Sequence, residues 1–247
     1  RSGQELVPTP RALEIRERVA LLVQDAEAIL HPVEFPDLKK LVRAFTLRCR
    51  EGFAENFGPN IVARAGEEAQ GVRLSFLPAP YEETMSVRNM GADLETGVFA
   101  SAFGPELRKQ TLFRDRFVGV VRMGPPLSQG EVTAAQYASA RHIIVSRQGL
   151  DRVPIDEGLG SLGLTRKTAA IVGGFLTAID FARNSDLIAT VPERLTVDLR
   201  KGMYSFPLPV HVPEFPVSMH WRPRLDGDPD HRWLRGLVLD ICRTMAE

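Results

Sequence analysis

Arg116-Phe-Val-Gly-Val-Val-Arg122 is an almost unbroken apolar run near the middle of the chain, and it predicts a buried β-strand. Strand-like and helix-like patterns alternate on both sides of this run. Such alternation is typical of sheets whose parallel strands are connected by crossover helices. Two alternations joined by one long strand therefore predict an α/β protein with two lobes.

A second apolar run, residues 215–221, is a candidate for the strand that returns the chain from the second lobe. Two crossings form a hinge, and a hinge over a cleft is a common arrangement in small-molecule sensors. The predicted first lobe covers residues 32–115 and 222–247, and the predicted second lobe covers residues 116–221. Within the second lobe, residues 192–200 are expected to form a helix.

Residues 11–30 are expected to form a helix that belongs to neither lobe. Thr9 can cap its first turn, and His31-Pro32 ends it. Its apolar side chains are spaced alternately three and four residues apart, which is the seam of a coiled-coil partner. We expect segment 9–31 to be a dimerisation helix, with a seam formed by Ala12, Ile15, Val19, Leu22, Ala26 and Ile29.

The charge balance argues against an extended electrostatic surface for nucleic acid or membrane, because Lys plus Arg and Asp plus Glu both number 31. Two cysteines, Cys49 and Cys242, are too few for a disulfide framework and lie in apolar patterns, so both are expected to be core thiols. No run approaches the roughly 18 apolar residues of a membrane span, and no secretory leader is visible. A cytoplasmic location is therefore expected.

The common catalytic and cofactor-binding motifs GxSxG, P-loop, HExxH and CxxC do not occur in the sequence. Gly158-Leu-Gly-Ser-Leu-Gly163 has the spacing GxGxxG, but it lies in an amphipathic pattern and follows no strand, so a helix is favoured over a nucleotide loop. The five histidines lack metal-ligand spacing, and His231 is expected to pack at the start of the C-terminal helix. No metal and no cofactor are expected.

Residues just after predicted strands are candidates for ligand contact, because ligands of open α/β sheets bind beyond the carboxyl ends of the strands. In the first lobe these are Arg50-Glu51 and Ala100-Ser101. The helix that starts at Glu51 could receive a polar ligand group at its N-terminus. Alternatively, Glu51 only complements the dipole of that helix.

The second lobe offers two further strand ends. Ser146-Arg147 follows the predicted strand 142–145, and Gly173-Gly174-Phe175 follows the predicted strand 168–172. The glycines would let a ligand approach the backbone, and Phe175 could stack on an apolar group. A tight turn with a core phenylalanine is the alternative.

Four stretches, taken in order, resemble LysR-type transcriptional regulators. Residues 1–12 are similar to the end of the family's DNA-binding wing, and Phe113-Arg-Asp-Arg-Phe-Val-Gly-Val-Val-Arg122 is similar to the entry into its second lobe. Asp186-Leu-Ile-Ala-Thr-Val-Pro192 is similar to a segment late in that lobe. His220-Trp221 followed by His231-Arg-Trp-Leu-Arg235 resembles the C-terminal signature. The resemblance covers essentially the whole chain.

The resemblance implies a two-lobe, type 2 periplasmic-binding-protein-like α/β fold with an N-terminal linker helix. Residues 1–8 would be a remnant of the wing, with the rest of the winged helix-turn-helix missing. Members bind a small-molecule effector between the lobes, assemble as dimers or tetramers and bind DNA through the N-terminal domain. The implied function is effector sensing and dimerisation in a transcription regulator, with no membrane partner and no enzyme activity.

The family's effector contacts also map onto strand ends of this sequence. Many members have a small hydroxyl residue at the first strand–helix junction, where this chain has Arg50-Glu51, so the charge of the effector is left open. Residues 113–117 are similar to members that sense aromatic compounds. The implied effector-binding residues are Arg50, Glu51, Ala100, Ser101, Ser146, Arg147, Arg152, Gly174 and Phe175.

Two other functions fit the same lobes. A stand-alone solute-binding protein would share the cleft, but it would carry an export signal and would not need the coiled-coil seam. An enzyme on a related fold would need a convergent acid–base pair in the cleft, for which Glu51 and Arg147 are the only obvious candidates.

Overall fold

The computed structural model of the chain describes residues 36–50, 52–79, 91–98, 107–124, 127, 130–146 and 154–245. These residues form two five-stranded sheets with helices packed against them, which confirms the prediction of two α/β lobes. The predicted wing remnant and the predicted dimerisation helix lie outside the described residues. Of the helices that are described, none is long and apolar enough to cross a membrane.

The first sheet combines strands from the two ends of the chain. Its strands are β1 (Arg43–Cys49), β2 (Val72–Pro78), β3 (Leu94–Gly97), β4 (Arg108–Asp115) and β10 (Phe215–Trp221). Their order is β2-β1-β3-β10-β4. β1 runs parallel to β2 and β3, whereas β10 runs antiparallel to β3 and β4.

Two long helices bury one face each against the first sheet. Helix α1 (Phe53–Glu68) carries Phe57 and Ile61 on a stripe with a four-residue repeat, and both are buried in the first core. The other helix, Pro229–Thr244, is labelled α5 because three further described helices lie between it and α1. Its start is fixed by Asp228, whose carboxylate accepts hydrogen bonds from two backbone N–H groups of the first turn. The buried stripe of α5 consists of Leu234, Leu237, Val238, Ile241 and Cys242.

The second sheet is covered by helices on both faces. Its strands are β5 (Phe117–Arg122), β6 (Arg141–Val145), β7 (Lys167–Val172), β8 (Ile188–Pro192) and β9 (Met203–Pro207), in the order β7-β6-β8-β5-β9. Its helices are α2 (Ala134–Ser139), α3 (Pro154–Ser161) and α4 (Phe175–Arg183).

The alternation of side chains along β5 divides the core of the second lobe into two clusters. Val118 and Val120 pack with Ile179 of α4 on one face, and Val121 packs with Tyr137 of α2 and Leu159 of α3 on the other. The apolar run 116–122 is therefore buried on both sides, as its composition predicted.

Strand β10 differs from its sequence assignment, which placed residues up to 221 in the second lobe. It pairs with β3 and β4 of the first sheet. The reason is its apolar face: Val217, Met219 and Trp221 are buried in the core of the first lobe. The chain has therefore returned to the first sheet by Phe215.

The helix predicted for residues 192–200 is wrong, because the segment forms a series of turns. A helix would pair the N–H of Asp198 with the carbonyl of Arg194. Instead, the Asn56 side chain donates to the Arg194 carbonyl at 3.1 Å and accepts from the Asp198 N–H at 3.2 Å. The side chain of Asn56, which belongs to the first lobe, thus binds the donor and the acceptor that a helix would pair with each other.

Candidate functional site

The junction between β1 and α1 directs Arg50 toward the end of β3. The Arg50 N–H donates to the Thr96 carbonyl at 3.1 Å. A Cβ at Gly97 would lie only 2.6 Å from Cδ of Arg50. Glycine at position 97 therefore allows the Arg50 side chain to lie across the end of β3.

Gly52 closes the same junction against the second half of the chain. Its φ of 88° is in the left-handed region, which side chains rarely adopt, and a Cβ there would come within 3.1 Å of the Leu195 carbonyl oxygen. The Gly52 N–H donates to the Glu55 carboxylate at 2.9 Å, which helps to start α1. The start of α1 thus packs directly on segment 193–200.

Asp115 connects the same segment to the end of β4. Its carboxylate accepts hydrogen bonds from the N–H groups of Arg116 (2.8 Å), Arg194 (2.9 Å) and Leu195 (3.0 Å). Burial raises the pKa of Asp115, although the three N–H donors act in the opposite direction. The Leu195 side chain is buried in the core of the first lobe. Segment 193–200 is therefore a further link between the lobes, beyond the two predicted crossings.

A cavity of about 680 Å³ lies between the lobes and is called the cleft cavity below. Its volume is within the range of about 300–1,000 Å³ that is usual for small-molecule sites. Its described walls are mainly apolar, and four phenylalanines of the described ranges contribute to them: Phe53, Phe117, Phe175 and Phe215. Of the described residues that line it, Arg50, Glu157, His211 and Glu214 are charged or titratable.

The structure brings two of the predicted effector-binding residues together at this cavity. Arg50 reaches it from the first lobe and Phe175 from the first position of α4. Ser146 and Gly174 each adjoin a lining residue, but they do not line the cavity themselves. The other predicted residues lie outside the described part of the chain: Glu51, Ala100, Ser101, Arg147 and Arg152.

Several lining residues were missed by the sequence analysis. His211 and Glu214 lie between β9 and β10, where no motif marks them, and Glu214 is paired with Arg114 at 3.2 Å. Phe117 and Phe215 could have been found, because each opens one of the two long apolar runs. Glu157 lies in α3, which ends at Ser161 and so confirms the helical interpretation for Gly158 and Gly160 of the GxGxxG spacing, whereas Gly163 lies in the turn that follows.

A second cavity of about 230 Å³, called the inner cavity below, extends into the second lobe. Four described residues line both the inner cavity and the cleft cavity: Phe117, Val145, Phe175 and Val212. Its remaining walls are mostly aliphatic, but Arg166 and Thr190 also line it. The two cavities are therefore adjacent parts of one site.

The polar groups at the inner cavity form a buried network. The Arg166 side chain is only 2% exposed, and its Nε and Nη2 donate to the Asp156 carboxylate at 2.7 and 2.9 Å. Burial lowers the pKa of Arg166, but the hydrogen bonds and charge of Asp156 outweigh it, so the pKa is raised. The hydroxyls of Tyr137 and Thr190 are hydrogen-bonded at 2.6 Å.

His142 lies behind Tyr137 in this network. Burial lowers its pKa to about 4, and the charge of Arg166 acts in the same direction. Its ring is therefore neutral at pH 7, and Nε2 donates to the Tyr137 carbonyl at 2.7 Å. The ring centroids of His142 and Tyr137 are 4.4 Å apart.

The prediction for His231 is confirmed. The residue is buried at the start of α5, where Nε2 lies 2.8 Å from the Asp93 carbonyl oxygen and Nδ1 lies 2.6 Å from Nη1 of Arg235. Within the described ranges, no three His, Cys, Asp or Glu side chains are arranged to hold a metal ion. Cys49 and Cys242 are free, buried thiols of the first core, as predicted.

Comparison with known proteins adds family and fold relationships to this geometry. Residues 40–243 match the family model described as LysR substrate binding domain. The HTH-type transcriptional activator NagR of Ralstonia sp. is 25% identical over 249 residues, which cover 98% of this chain and 81% of NagR.

Two solved structures share the architecture. A putative transcriptional regulator from Vibrio parahaemolyticus superposes with a TM-score of 0.72 and 25% identity, over 85% of this chain and 99% of that one. The BenM effector binding domain, solved with its effector benzoate, superposes with a TM-score of 0.64 and 14% identity, over 83% of this chain and 95% of that one. The two-lobe, periplasmic-binding-protein-like fold that the sequence predicted is thereby confirmed.

Proposed function

The chain belongs to the LysR substrate binding domain family, and from that premise we propose that its effector is a small aromatic molecule bound in the cleft cavity. The chain is the effector-sensing region of a LysR-type transcription regulator. The observation that carries the proposal is the cleft cavity itself, since both lobes contribute walls to it and its volume suits a small molecule.

The walls of the cleft cavity favour an aromatic ligand. Four phenylalanine side chains offer flat faces and edges on which a ring can pack. The effector of BenM, a protein of the same fold, is benzoate. Arg50 could pair with an anionic group on the ligand, whereas Glu157 and Glu214 oppose a high negative charge. We therefore propose an aromatic effector with at most one anionic group.

Effector binding would change the equilibrium between lobe arrangements, because a ligand that contacts both lobes binds better when they are close together. Segment 193–200 and the two strand crossings are the connections through which the lobes would move. We propose that a dimer or tetramer of the chain transmits this change to DNA held by an N-terminal DNA-binding domain. The proposed location is the cytoplasm, where the DNA is.

The rival functions have less support. A stand-alone solute receptor is not favoured, because the relatives are transcription regulators. An enzyme is not proposed either. Its only candidate acid–base pair, Glu51 and Arg147, lies outside the described residues.

A thermal-shift screen of small aromatic and carboxylic acids tests the proposal, since a ligand that binds only the folded state raises the melting temperature. Phe175→Ala should weaken binding of the best compound at least about tenfold, because it removes a shared wall of both cavities. Phe181→Ala is the matched control, since Phe181 is 44% exposed on the same helix and lines neither cavity. Equal binding by the two variants would exclude the cleft cavity as the site.

A further inference from the structure

We infer that the inner cavity receives an uncharged aromatic ring that carries one hydrogen-bond acceptor. This inference rests on the proposed function, because the ring would be one end of an effector that extends into the cleft cavity.

The inner cavity has the size and lining of a ring-binding pocket. Its volume of about 230 Å³ exceeds that of cavities of about 150 Å³ that bind benzene. Ile144, Ile155 and Leu208 supply aliphatic walls, and Phe117 and Phe175 supply aromatic ones. Apolar cavities of this size hold ordered water poorly, so a ring can enter with little loss of hydration.

Arg166 supplies an unused hydrogen-bond donor at this cavity. Two of its three nitrogens bind Asp156, whereas Nη1 is buried and forms no hydrogen bond of normal geometry with a described residue. Hydrogen bonding to the Tyr137 hydroxyl is the smallest of the contributions that raise the pKa of Arg166. The side chain is 2% exposed, so solvent does not satisfy this group. A buried donor without a partner is costly, and a ligand acceptor placed beside it removes that cost.

The charge balance selects an uncharged acceptor. The positive charge of Arg166 is already paired with the carboxylate of Asp156, whose side chain is 19% exposed. A ligand carboxylate would therefore add an unmatched negative charge to an apolar cavity, which is strongly unfavourable. The neighbouring hydroxyls of Tyr137 and Thr190 are paired with each other. A ketone, ester or phenol oxygen fits these requirements.

Fluorine NMR titration of the full 247-residue chain with three ring probes tests the inference. The probes are para-fluoroacetophenone, which has a neutral acceptor, para-fluoroethylbenzene, which has none, and para-fluorobenzoate, which is charged. The ketone should bind about fivefold or more tightly than ethylbenzene, as one hydrogen bond predicts, and more tightly than the benzoate. Tighter binding of the benzoate would overturn the inference.

Two variants locate the ring. Leu208→Phe fills the inner cavity and should abolish binding of the ketone, whereas Leu176→Phe, at an exposed position of α4, should not change it. Arg166→Met should remove the preference for the ketone over ethylbenzene but leave ethylbenzene binding. Leu208→Phe tests the inference even if Arg166→Met fails to fold. Unchanged binding of the ketone to Leu208→Phe would overturn the inference.

A third variant separates this inference from the proposed function. Val98 lines only the cleft cavity, and Val98→Trp narrows that cavity. Ketone binding that survives Val98→Trp but not Leu208→Phe supports the inner cavity. The reverse result would place the ring in the cleft, which contradicts the inference and leaves the proposed effector site in place.

Discussion

The aromatic rings of Phe117 and Phe215 lie 5.0 Å apart between centroids, inclined at 47°. Phe117 is the first residue of β5 in the second sheet, and Phe215 is the first residue of β10 in the first sheet. Both line the cleft cavity. This ring pair therefore connects the two lobes at the wall where the effector is proposed to bind.

The contribution of this pair can be measured with a double-mutant cycle. Phe117→Ala and Phe215→Ala should each destabilise the chain, and their effects should be coupled by about 1 kcal/mol, the usual value for a packed aromatic pair. Urea unfolding of the two single variants and the double variant gives this coupling. A coupling near zero would show that the rings do not interact in solution.

Asn56→Ala should destabilise the chain by about 2–4 kcal/mol, because it leaves the Arg194 carbonyl and the Asp198 N–H without their side-chain partner. The same variant should speed amide hydrogen exchange in segment 193–200. Asn60→Ala is the control, since Asn60 is exposed on the same helix. If Asn56→Ala and Asn60→Ala unfold alike, Asn56 does not hold this segment.

Stability should decrease as the pH falls from about 6.5 toward 4. Burial lowers the pKa of both His142 and His220 to about 4 in the folded state, whereas an unfolded histidine titrates near 6.5. The unfolded state then binds more protons in this range, so acid favours unfolding. At pH 5 each histidine should cost on the order of 2 kcal/mol relative to pH 7.

Urea unfolding of the unmodified chain and of His142→Gln at pH 7 and pH 5 checks this sign. The variant should lose less stability than the parent between the two pH values, because it lacks one of the buried histidines whose pKa is lowered. An equal loss in both proteins would show that His142 titrates normally.

Neither cysteine should react with a thiol reagent in the native state. Burial raises the pKa of Cys49 to about 12 and also raises that of Cys242. Both thiols therefore stay protonated and inaccessible at neutral pH. Ellman's reagent should detect no thiol in the folded chain and both thiols in urea. Rapid labelling without urea would contradict the buried placement.

Local sequence patterns predicted many of the strands and helices, because the residues within each of these elements determine its conformation. Strand β10 has the predicted bounds, and strands β6 and β7 each begin one residue earlier than predicted. Strand β4 was missed because charged residues such as Arg108, Lys109 and Arg114 mask its alternation. Its buried residues, Leu112 and Phe113, become evident only beside the core of the first lobe.

The features that sequence patterns missed depend on residues far apart in the chain. The turns at 193–200 are imposed by Asn56, more than a hundred residues earlier. His211 and Glu214 reach the cleft cavity only because β9 and β10 belong to different sheets. Arg50 and Phe175 follow the carboxyl ends of predicted strands and both line the cleft cavity, whereas their contact with an effector stays a prediction.

The distance between the lobes, measured with and without effector, tests the central claim most directly. Spin labels on Ala63→Cys in α1 and Thr177→Cys in α4 occupy exposed positions, and the buried native thiols should stay unlabelled. Labelled chains diluted with unlabelled chains report the distance within one chain. Saturation with the best compound from the thermal-shift screen should shift or narrow the distance distribution, and Phe175→Ala should abolish the response at the same concentration. An unchanged distribution in the effector-saturated chain would contradict an effector site between the lobes.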